Sequence, residues 1–146
     1  MTSEKPLTEL SDDQLLACVK RLAAAERHAT AALIAALMEF DGRRLYLAAG
    51  CSSMFTYCTQ VLDMAEGAAY NRIEAARAAR RFSVILDLLH DGSVTLTTVR
   101  LLAPHLTVEN LHGALASARH KSKREVEIPV ASLNPKPATP PVIRKL

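Results

Sequence analysis

Aromatic side chains are scarce in this 146-residue chain, which has no tryptophan, three tyrosines and three phenylalanines. Hydrophobic residues still make up 49 % of it, so the apolar mass is mainly alanine, leucine, valine and isoleucine. Small aliphatic side chains suit closely packed helices. The length fits one domain with its own core and is short for two. The composition therefore favours a single helical domain.

A hydrophobic run long enough to span a bilayer is also missing. The longest, ATAALIAALMEF, is interrupted by Glu39 well before the roughly 20 residues that a membrane helix needs. The start of the chain shows no secretory signal pattern. The three cysteines, Cys18, Cys51 and Cys58, form neither a C-x-x-C pair nor a zinc-ligand spacing, and free thiols are typical of a reducing compartment. We expect a cytoplasmic protein with no membrane partner.

No stretch alternates between apolar and polar residues for long enough to predict a strand. Helix signals are frequent instead: Ser11 and Gln14 have the spacing of a capping box, and the first helix is predicted over residues 11–40, ending at Asp41-Gly42. Further starts and stops at Gly50, Ser52 or Ser53, Ser83, Gly92, Pro104, Thr107, and Ser122 with Glu125 give about six or seven helices. We predict an all-α, compact multi-helix domain.

The domain organisation follows from the two ends of the chain. Residues 1–10 are predicted to be a flexible leader and residues 11–133 the helical domain. Residues 134–146, NPKPATPPVIRKL, contain four prolines and are predicted to be a linker or tail. Pro129 is expected to break or kink the last helical segment.

Patterns that carry catalysis or bind metals are absent from the sequence. There is no H-E-x-x-H, no glycine-rich phosphate loop and no G-x-S-x-G. The acidic pairs Asp12/Asp13 and Asp87/Asp91 fit a helix start and an exposed helical face. The five histidines are scattered: His28, His90, His105, His112 and His120. We predict no catalytic residue, no metal site and no cofactor for this chain.

Positive charge is concentrated in the second half of the chain. Residues 1–66 carry 6 Lys/Arg and 9 Asp/Glu, whereas residues 67–146 carry 12 and 6, within a net charge of +3. A basic half is a candidate surface for a polyanion. Its clearest element is AAYNRIEAARAARRF, residues 68–82, a predicted helix with four arginines.

The arginine helix is expected to be amphipathic. About 100° of rotation per residue groups its arginines with Ala76 on one side, opposite Ala75, Ala78, Ala79 and Phe82. The preceding segment MFTYCTQVLD, the break at Gly67 and the arginine helix together predict a helix-turn-helix-like pair. The second helix of such a pair would present its first residues to the major groove. Asparagine pairs with adenine, and arginine with guanine or phosphate. An ordinary solvated face, with Glu74 as a helical partner, is the alternative.

A second basic group lies where one predicted helix ends and another begins: Arg119, His120, Lys121, Lys123 and Arg124. These cations either contact phosphate or stabilise a helix C-terminus. The candidate DNA-binding residues from both groups are Asn71, Arg72, Arg77, Arg80, Arg81, Lys121, Lys123 and Arg124.

Several stretches resemble the N-terminal helical region of a bacterial family of HNH endonuclease proteins. They are LSDDQLLACVKRLAAAERHATAALIAAL, RRLYLAAGCSSMFTYCTQVLDMAEGAAYNRIEAARAARRF, VTLTTVRLLAPHL and ARHKSKREVE, and they cover roughly residues 10–128. In that family a linker and a C-terminal HNH module follow, a ββα-metal nuclease whose histidines activate water and hold a divalent cation. The resemblance implies a DNA-directed role, with a divalent metal only where an HNH module is present.

The chain departs from that family in the catalytic part. It ends at Leu146 and contains no His-Asn-His constellation or accompanying cysteine pairs, so no catalytic residue can be carried over. Ile128-Pro129 stands where the resemblance implies an uninterrupted helix. The sequence is therefore expected to be a truncated or degenerate relative.

Three functions stay open from the sequence. The first is a DNA-binding or targeting module for double-stranded DNA that does not cleave DNA on its own. The second is a protein-interaction or oligomerisation domain in which the long alanine-rich helix pairs with another copy. The third is a fragment of an active HNH endonuclease whose catalytic half is missing, so the sequence leaves the enzymatic status undecided.

Overall fold

The computed structural model describes residues 5–121 and 124–127, and this part of the chain is helical without a strand. The all-α prediction is confirmed. The helices are α1 (Asp12–Gly42), α2 (Leu45–Ala48), α3 (Met54–Thr56), α4 (Glu66–Arg81), α5 (Val84–Asp91), α6 (Leu96–Leu102) and α7 (Leu111–Ala118). Short 3-10 helices lie at Leu7–Glu9 and Ala103–His105, a π-helical turn follows α3 at Tyr57–Val61, and residues 124–127 form one more helical turn.

Helix α1 begins where the capping pattern predicts it. The Ser11 hydroxyl accepts a 3.1 Å hydrogen bond from the backbone N–H of Gln14, and the Gln14 side-chain oxygen accepts one of 2.9 Å from the backbone N–H of Ser11. Its end differs from the prediction, because the helix includes Asp41-Gly42. The N–H of Arg43 still bonds the carbonyl of Glu39 at 3.0 Å, and the chain turns at Arg44, whose φ of 52° is left-handed.

The other helix boundaries mostly follow their local signals. Gly50 and Gly92 each adopt a φ of 83°, which an L side chain rarely adopts, and they follow α2 and α5. The Ser53 hydroxyl accepts from the backbone N–H of Thr56 at 3.0 Å and caps α3. In the turn before α7, the Asn110 side-chain oxygen accepts a hydrogen bond from the backbone N–H of Thr107, and the Thr107 hydroxyl accepts one from the backbone N–H of Asn110.

Helix α4 lies at the centre of the fold, where it packs against α1, α3, α5 and α6. Its alanines allow the neighbouring helices to approach closely on several sides. Ala76, which the helical projection placed among the arginines, is 2 % exposed, so that side of the helix is covered as well. Alanine is too short to reach solvent between neighbouring helices, whereas arginine extends past them.

The two halves of α1 differ in how they are packed. Ala31, Ile34 and Leu37, all in the second half, are its buried residues. That half packs against α4 and α5, and the rings of His28 and His90 stack at 3.8 Å between α1 and α5. Among the described helices, none is both long and apolar enough to cross a membrane.

Some sequence predictions fall outside the described residues. They concern Ser122 in the second capping box, Lys123, Pro129 and the proline-rich segment 134–146. Of the predicted leader, residues 5–10 are described and include the 3-10 turn at Leu7–Glu9.

Candidate nucleic-acid interface

Two arginines of α4 reach the C-terminal end of α1. The Arg77 Nε lies 3.6 Å from the Asp41 carboxylate, and the Arg80 guanidinium donates a 3.4 Å hydrogen bond to the carbonyl of Met38. Arg80 also lies directly against Gly42, where an added Cβ would be 2.7 Å from its Nη2. Carbonyls and carboxylates at a helix C-terminus attract cations. Two of the four arginines of α4 therefore contact this end of α1.

Arg43 and Arg44 lie at the same end of α1. Arg43 bonds Glu39 at 2.7 Å while both side chains stay about two-thirds exposed, at 66 % and 69 %. Arg44 is exposed in the turn that follows. We call Arg43, Arg44, Arg77 and Arg80 the arginine cluster. The four positive charges of the cluster exceed the two negative charges of Glu39 and Asp41. This surface therefore carries a net positive charge.

Sequence reasoning missed Arg43 and Arg44 as candidate contacts. The available signal is the pair of arginines that directly follows the predicted helix end at Asp41-Gly42. Helices α1 and α4 cross in the fold, and only this crossing brings residues more than thirty positions apart to one surface.

Arg81 points to a different neighbour from Arg80. Its guanidinium donates to the carbonyl of Ala103 at 3.3 Å and to the carbonyl of Leu106 at 2.9 Å, and lies 4.9 Å from the centre of the Phe82 ring. These carbonyls belong to the 3-10 turn after α6 and the residue that ends it. Arg81 therefore ties the end of α4 to the end of α6.

Asn71 and Arg72 lie near the other end of α4, away from the arginine cluster. Both are half-buried and line an open cleft of about 480 Å³ together with Arg27 of α1 and with Thr95 and Thr97 at the start of α6. The Arg72 guanidinium donates to the carbonyl of Ala68 within its own helix at 3.2 Å. Asn71 also faces the first turn of α4, beside Gly67 and Tyr70.

The second basic group lies beside the connection between α5 and α6. The backbone N–H of His120 donates to the carbonyl of Ser93 at 2.7 Å, and Arg119, Lys121 and Arg124 are exposed. Hydrogen bonds from the side chain and the backbone of Ser93 lower the pKa of Asp91, and the side chain has the larger effect. The positive charges of Arg119 and His120 lower this pKa slightly further. The candidate residues thus occupy several surfaces.

The described residues do not bring three His, Cys, Asp or Glu side chains together as metal ligands. The three cysteines are free thiols. Burial raises the pKa of the Cys58 thiol, which keeps it protonated and unreactive. Neither a nucleophile nor a metal-activated water can be assigned from this part of the chain.

In comparisons with known proteins, no protein-family model, curated protein or solved structure matches this chain. The resemblance to HNH endonuclease proteins is a resemblance of the sequence stretches quoted above and is not tested by these comparisons.

Proposed function

We propose that this protein is a DNA-binding or targeting module that contacts the phosphates of double-stranded DNA through the arginine cluster. The observation that carries the proposal is the convergence of four exposed arginines from α1 and α4 on one surface with two acids. The resemblance to the front part of HNH endonuclease proteins supports the same class of ligand.

The chemistry of the arginine cluster suits phosphate. A guanidinium keeps its charge at all physiological pH values and offers several N–H donors that can fork onto phosphate oxygens. The ion pairs at Glu39 and Asp41 involve exposed side chains on the arginine side, and such surface pairs contribute little. A phosphate can therefore compete for these arginines.

The burial of α4 constrains how DNA can approach. Ile73, Ala75 and Ala79 are 5 % exposed or less, so the middle of this helix is covered by its neighbours. Its ends are open: Gly67 and Tyr70 at the start and Arg77 and Arg80 near the end. We infer that the cluster contacts the DNA backbone and that Asn71 and Arg72, at the other end of α4, contact a base edge or another phosphate.

The module is not expected to cleave DNA by itself. The HNH resemblance implies that cleavage and a divalent metal belong to a module whose residues are not in this chain. A DNA-directed role in a bacterial cytoplasm is part of the proposal.

Fluorescence anisotropy of a labelled DNA duplex at several salt concentrations tests this function directly. With Mg²⁺ present, we expect affinity that falls steeply as salt rises and DNA that stays uncut. The absence of binding at low salt would reject the proposal, and cleavage by the purified chain would reject its non-catalytic part.

A second candidate function, a protein-interaction domain, is favoured by a different observation. Four apolar side chains in the first half of α1 are 40–60 % exposed: Leu15, Leu16, Val19 and Leu22. Single exposed leucines are ordinary, but a row of four on one helix is typical of an interaction surface. The two functions are compatible, because this row lies on a part of α1 remote in sequence from the arginine cluster.

A further inference from the structure

The two exposed aromatic side chains of this protein line the same cleft. The chain has three tyrosines and three phenylalanines, and all six lie within the described residues. Four of them are half-buried: Phe40, Tyr46, Tyr57 and Phe82. Phe55 of α3 is 38 % exposed and Tyr70, near the start of α4, is 50 % exposed. Both line an open cleft of about 540 Å³. Exposed aromatic rings in a cleft are typical of sites that stack a nucleobase.

The polar groups of this cleft suit a neutral ring that both donates and accepts hydrogen bonds. We call it the aromatic cleft, and its lining residues are Phe55, Glu66, Gly67, Tyr70, Asn71 and Arg100. The Glu66 carboxylate accepts, the Arg100 guanidinium donates and the Asn71 amide does both. The opposite charges of Glu66 and Arg100 balance each other, so this cleft does not select an anion.

Arg100 has donor capacity that the described part of the chain does not use. Its Nε is buried and has no hydrogen-bond partner there. A buried donor without an acceptor is costly, and most such groups in proteins have a partner. A ligand that supplies an acceptor to this side chain would remove that cost. The unpaired donor therefore indicates that the aromatic cleft receives a polar ligand.

The neighbouring cleft has the charge that a phosphate needs. It is the cleft of about 480 Å³ described above, and it shares Asn71 with the aromatic cleft. Arg27 and Arg72 line it together with Glu26, so its net charge is positive. The Thr97 hydroxyl is a further donor in the same lining. Two guanidinium groups beside a hydroxyl are suited to phosphate oxygens. We call this second site the phosphate cleft.

We propose that the two clefts together hold one unpaired nucleotide of DNA, with its base in the aromatic cleft and its phosphate in the phosphate cleft. One sugar joins a base to its phosphate, so a nucleotide needs two adjacent sites of this kind, and Asn71 borders both. Inside a duplex the base is stacked, and it reaches such a cleft only when it is unpaired or turned out of the helix. This inference rests on the proposed DNA-binding function and names the form of DNA that is preferred.

The arginine cluster indicates that the nucleotide belongs to DNA. Arg77 and Arg80 follow Asn71 on α4 by six and nine residues, or roughly 9–14 Å at 1.5 Å per residue. At about 3.4 Å per base along one strand this distance corresponds to a few base pairs. The cluster can therefore contact the duplex next to the unpaired nucleotide.

Anisotropy with two labelled DNA duplexes tests the inference. One is fully paired, and the other has the same sequence with a single unpaired adenine at its centre. We expect the wild type to bind the second duplex about five-fold tighter or more, because stacking of one base on an aromatic side chain has an effect of this size. The measured quantity is the ratio of the two affinities, since a general loss of duplex contacts lowers both.

Gly67→Leu is expected to bring this ratio to about one by filling the aromatic cleft. A Cβ at Gly67 meets no other protein atom within 4 Å, so the fold can accept the side chain. The matched control is Gly113→Leu, because Gly113 is also a helical glycine with no atom within 4 Å of an added Cβ, but lies in α7 outside both clefts. The control should keep the wild-type ratio. Circular dichroism checks that both variants stay helical.

Tyr70 tests the stacking and Arg27 tests the phosphate cleft. Tyr70→Leu should lower the ratio at least several-fold, whereas Tyr70→Phe, which keeps the ring, should retain most of it. Arg27→Gln should reduce the slope of log affinity against log salt for the unpaired duplex by about 0.9. An unchanged slope would show that the phosphate does not lie beside Arg27.

Several results would overturn the inference. A wild type that binds both duplexes equally would reject it and leave the proposed function standing. A preference that survives in both Gly67→Leu and Tyr70→Leu would mean that the unpaired duplex is favoured because it bends easily, not because a base enters the cleft. Saturable binding of free dAMP together with a ratio of one would assign the clefts to a free nucleotide. The proposed function is tested separately by the affinity for the paired duplex.

Discussion

The guanidinium of Arg81 donates a 2.9 Å hydrogen bond to the backbone carbonyl of Leu106, twenty-five residues further along the chain. Its neighbour Arg80 donates instead to Met38, in the last turns of α1. Consecutive arginines on a central helix therefore connect it to two different helices. A carbonyl oxygen has two lone pairs, so a long cationic side chain from another helix can donate a hydrogen bond to it in addition to any backbone partner.

Arg81→Ala is expected to destabilise the fold. The variant loses donors to two carbonyls and a cation beside the Phe82 ring. A hydrogen bond from a charged group contributes about 1.5–3 kcal/mol, and partial exposure reduces it, so we expect a loss of about 1–2 kcal/mol in the free energy of unfolding. Urea denaturation measures this. Arg77→Ala, which removes an exposed ion pair, is the control and should cost less than about 0.5 kcal/mol; equal losses would contradict the structural role of Arg81.

Replacing Arg77 and Arg80 together by alanine is expected to weaken DNA binding. The loss of two charge-assisted contacts should lower affinity by roughly tenfold or more, since about 1.4 kcal/mol corresponds to a factor of ten. Each lost phosphate contact should also reduce the slope of log affinity against log salt by about 0.9. Anisotropy titrations at three or more salt concentrations give both quantities.

The matched control removes two positive charges elsewhere. Lys5 and Arg21 border one groove beside the start of α1, away from the arginine cluster, so K5A/R21A should keep most of the affinity and slope. Equal losses in the two double variants would show that net charge alone governs binding. Unchanged binding in R77A/R80A would exclude the arginine cluster as the contact.

Ala76→Leu is expected to destabilise the protein by about 1–3 kcal/mol. Ala76 is 2 % exposed between closely packed helices, and added methylene groups there force neighbouring side chains or backbone to move. Ala116→Leu in α7 is the control, because Ala116 is exposed and should tolerate the change within about 0.5 kcal/mol. A tolerated leucine at position 76 would mean that this side of α4 faces solvent.

The stabilising contribution of Asp91 should be lost in acid. Its pKa is lowered in the folded state by the Ser93 hydrogen bonds, so its contribution is present above the unfolded pKa of about 3.9 and is lost as pH falls through the lower folded value. Asp91→Asn should be less stable than the wild type at pH 7, and the difference should shrink below about pH 4. Thermal unfolding at both pH values measures this, with Asp87→Asn, an exposed acid one turn earlier, as the control. A difference that stays constant with pH would contradict the assignment.

Local patterns predicted the helix boundaries well because the hydrogen bonds that set them join residues only a few positions apart in the sequence. The capping pair Ser11 and Gln14, the hydroxyl of Ser53 and the left-handed Gly50 and Gly92 each act within a few residues. The end of α1 was predicted about two residues early because Gly42 there tolerates helical geometry and lies beside Arg80, a contact that local sequence does not encode. Local hydrogen-bonding chemistry therefore fixes where most of these helices begin and end.

The amino-acid sequence is enough to predict an all-helical chain and an alanine-rich α4 that carries four arginines. The packing of the helices, in contrast, sets which sides of α4 are covered, makes Arg80 and Arg81 bond different helices, and brings Arg43 and Arg44 to one surface with Arg77 and Arg80. The same packing buries one apolar face of α1 at Ile34 and leaves it exposed at Leu16. Helix periodicity specifies a face, but only the crossing of helices distant in sequence determines whether that face meets protein or solvent.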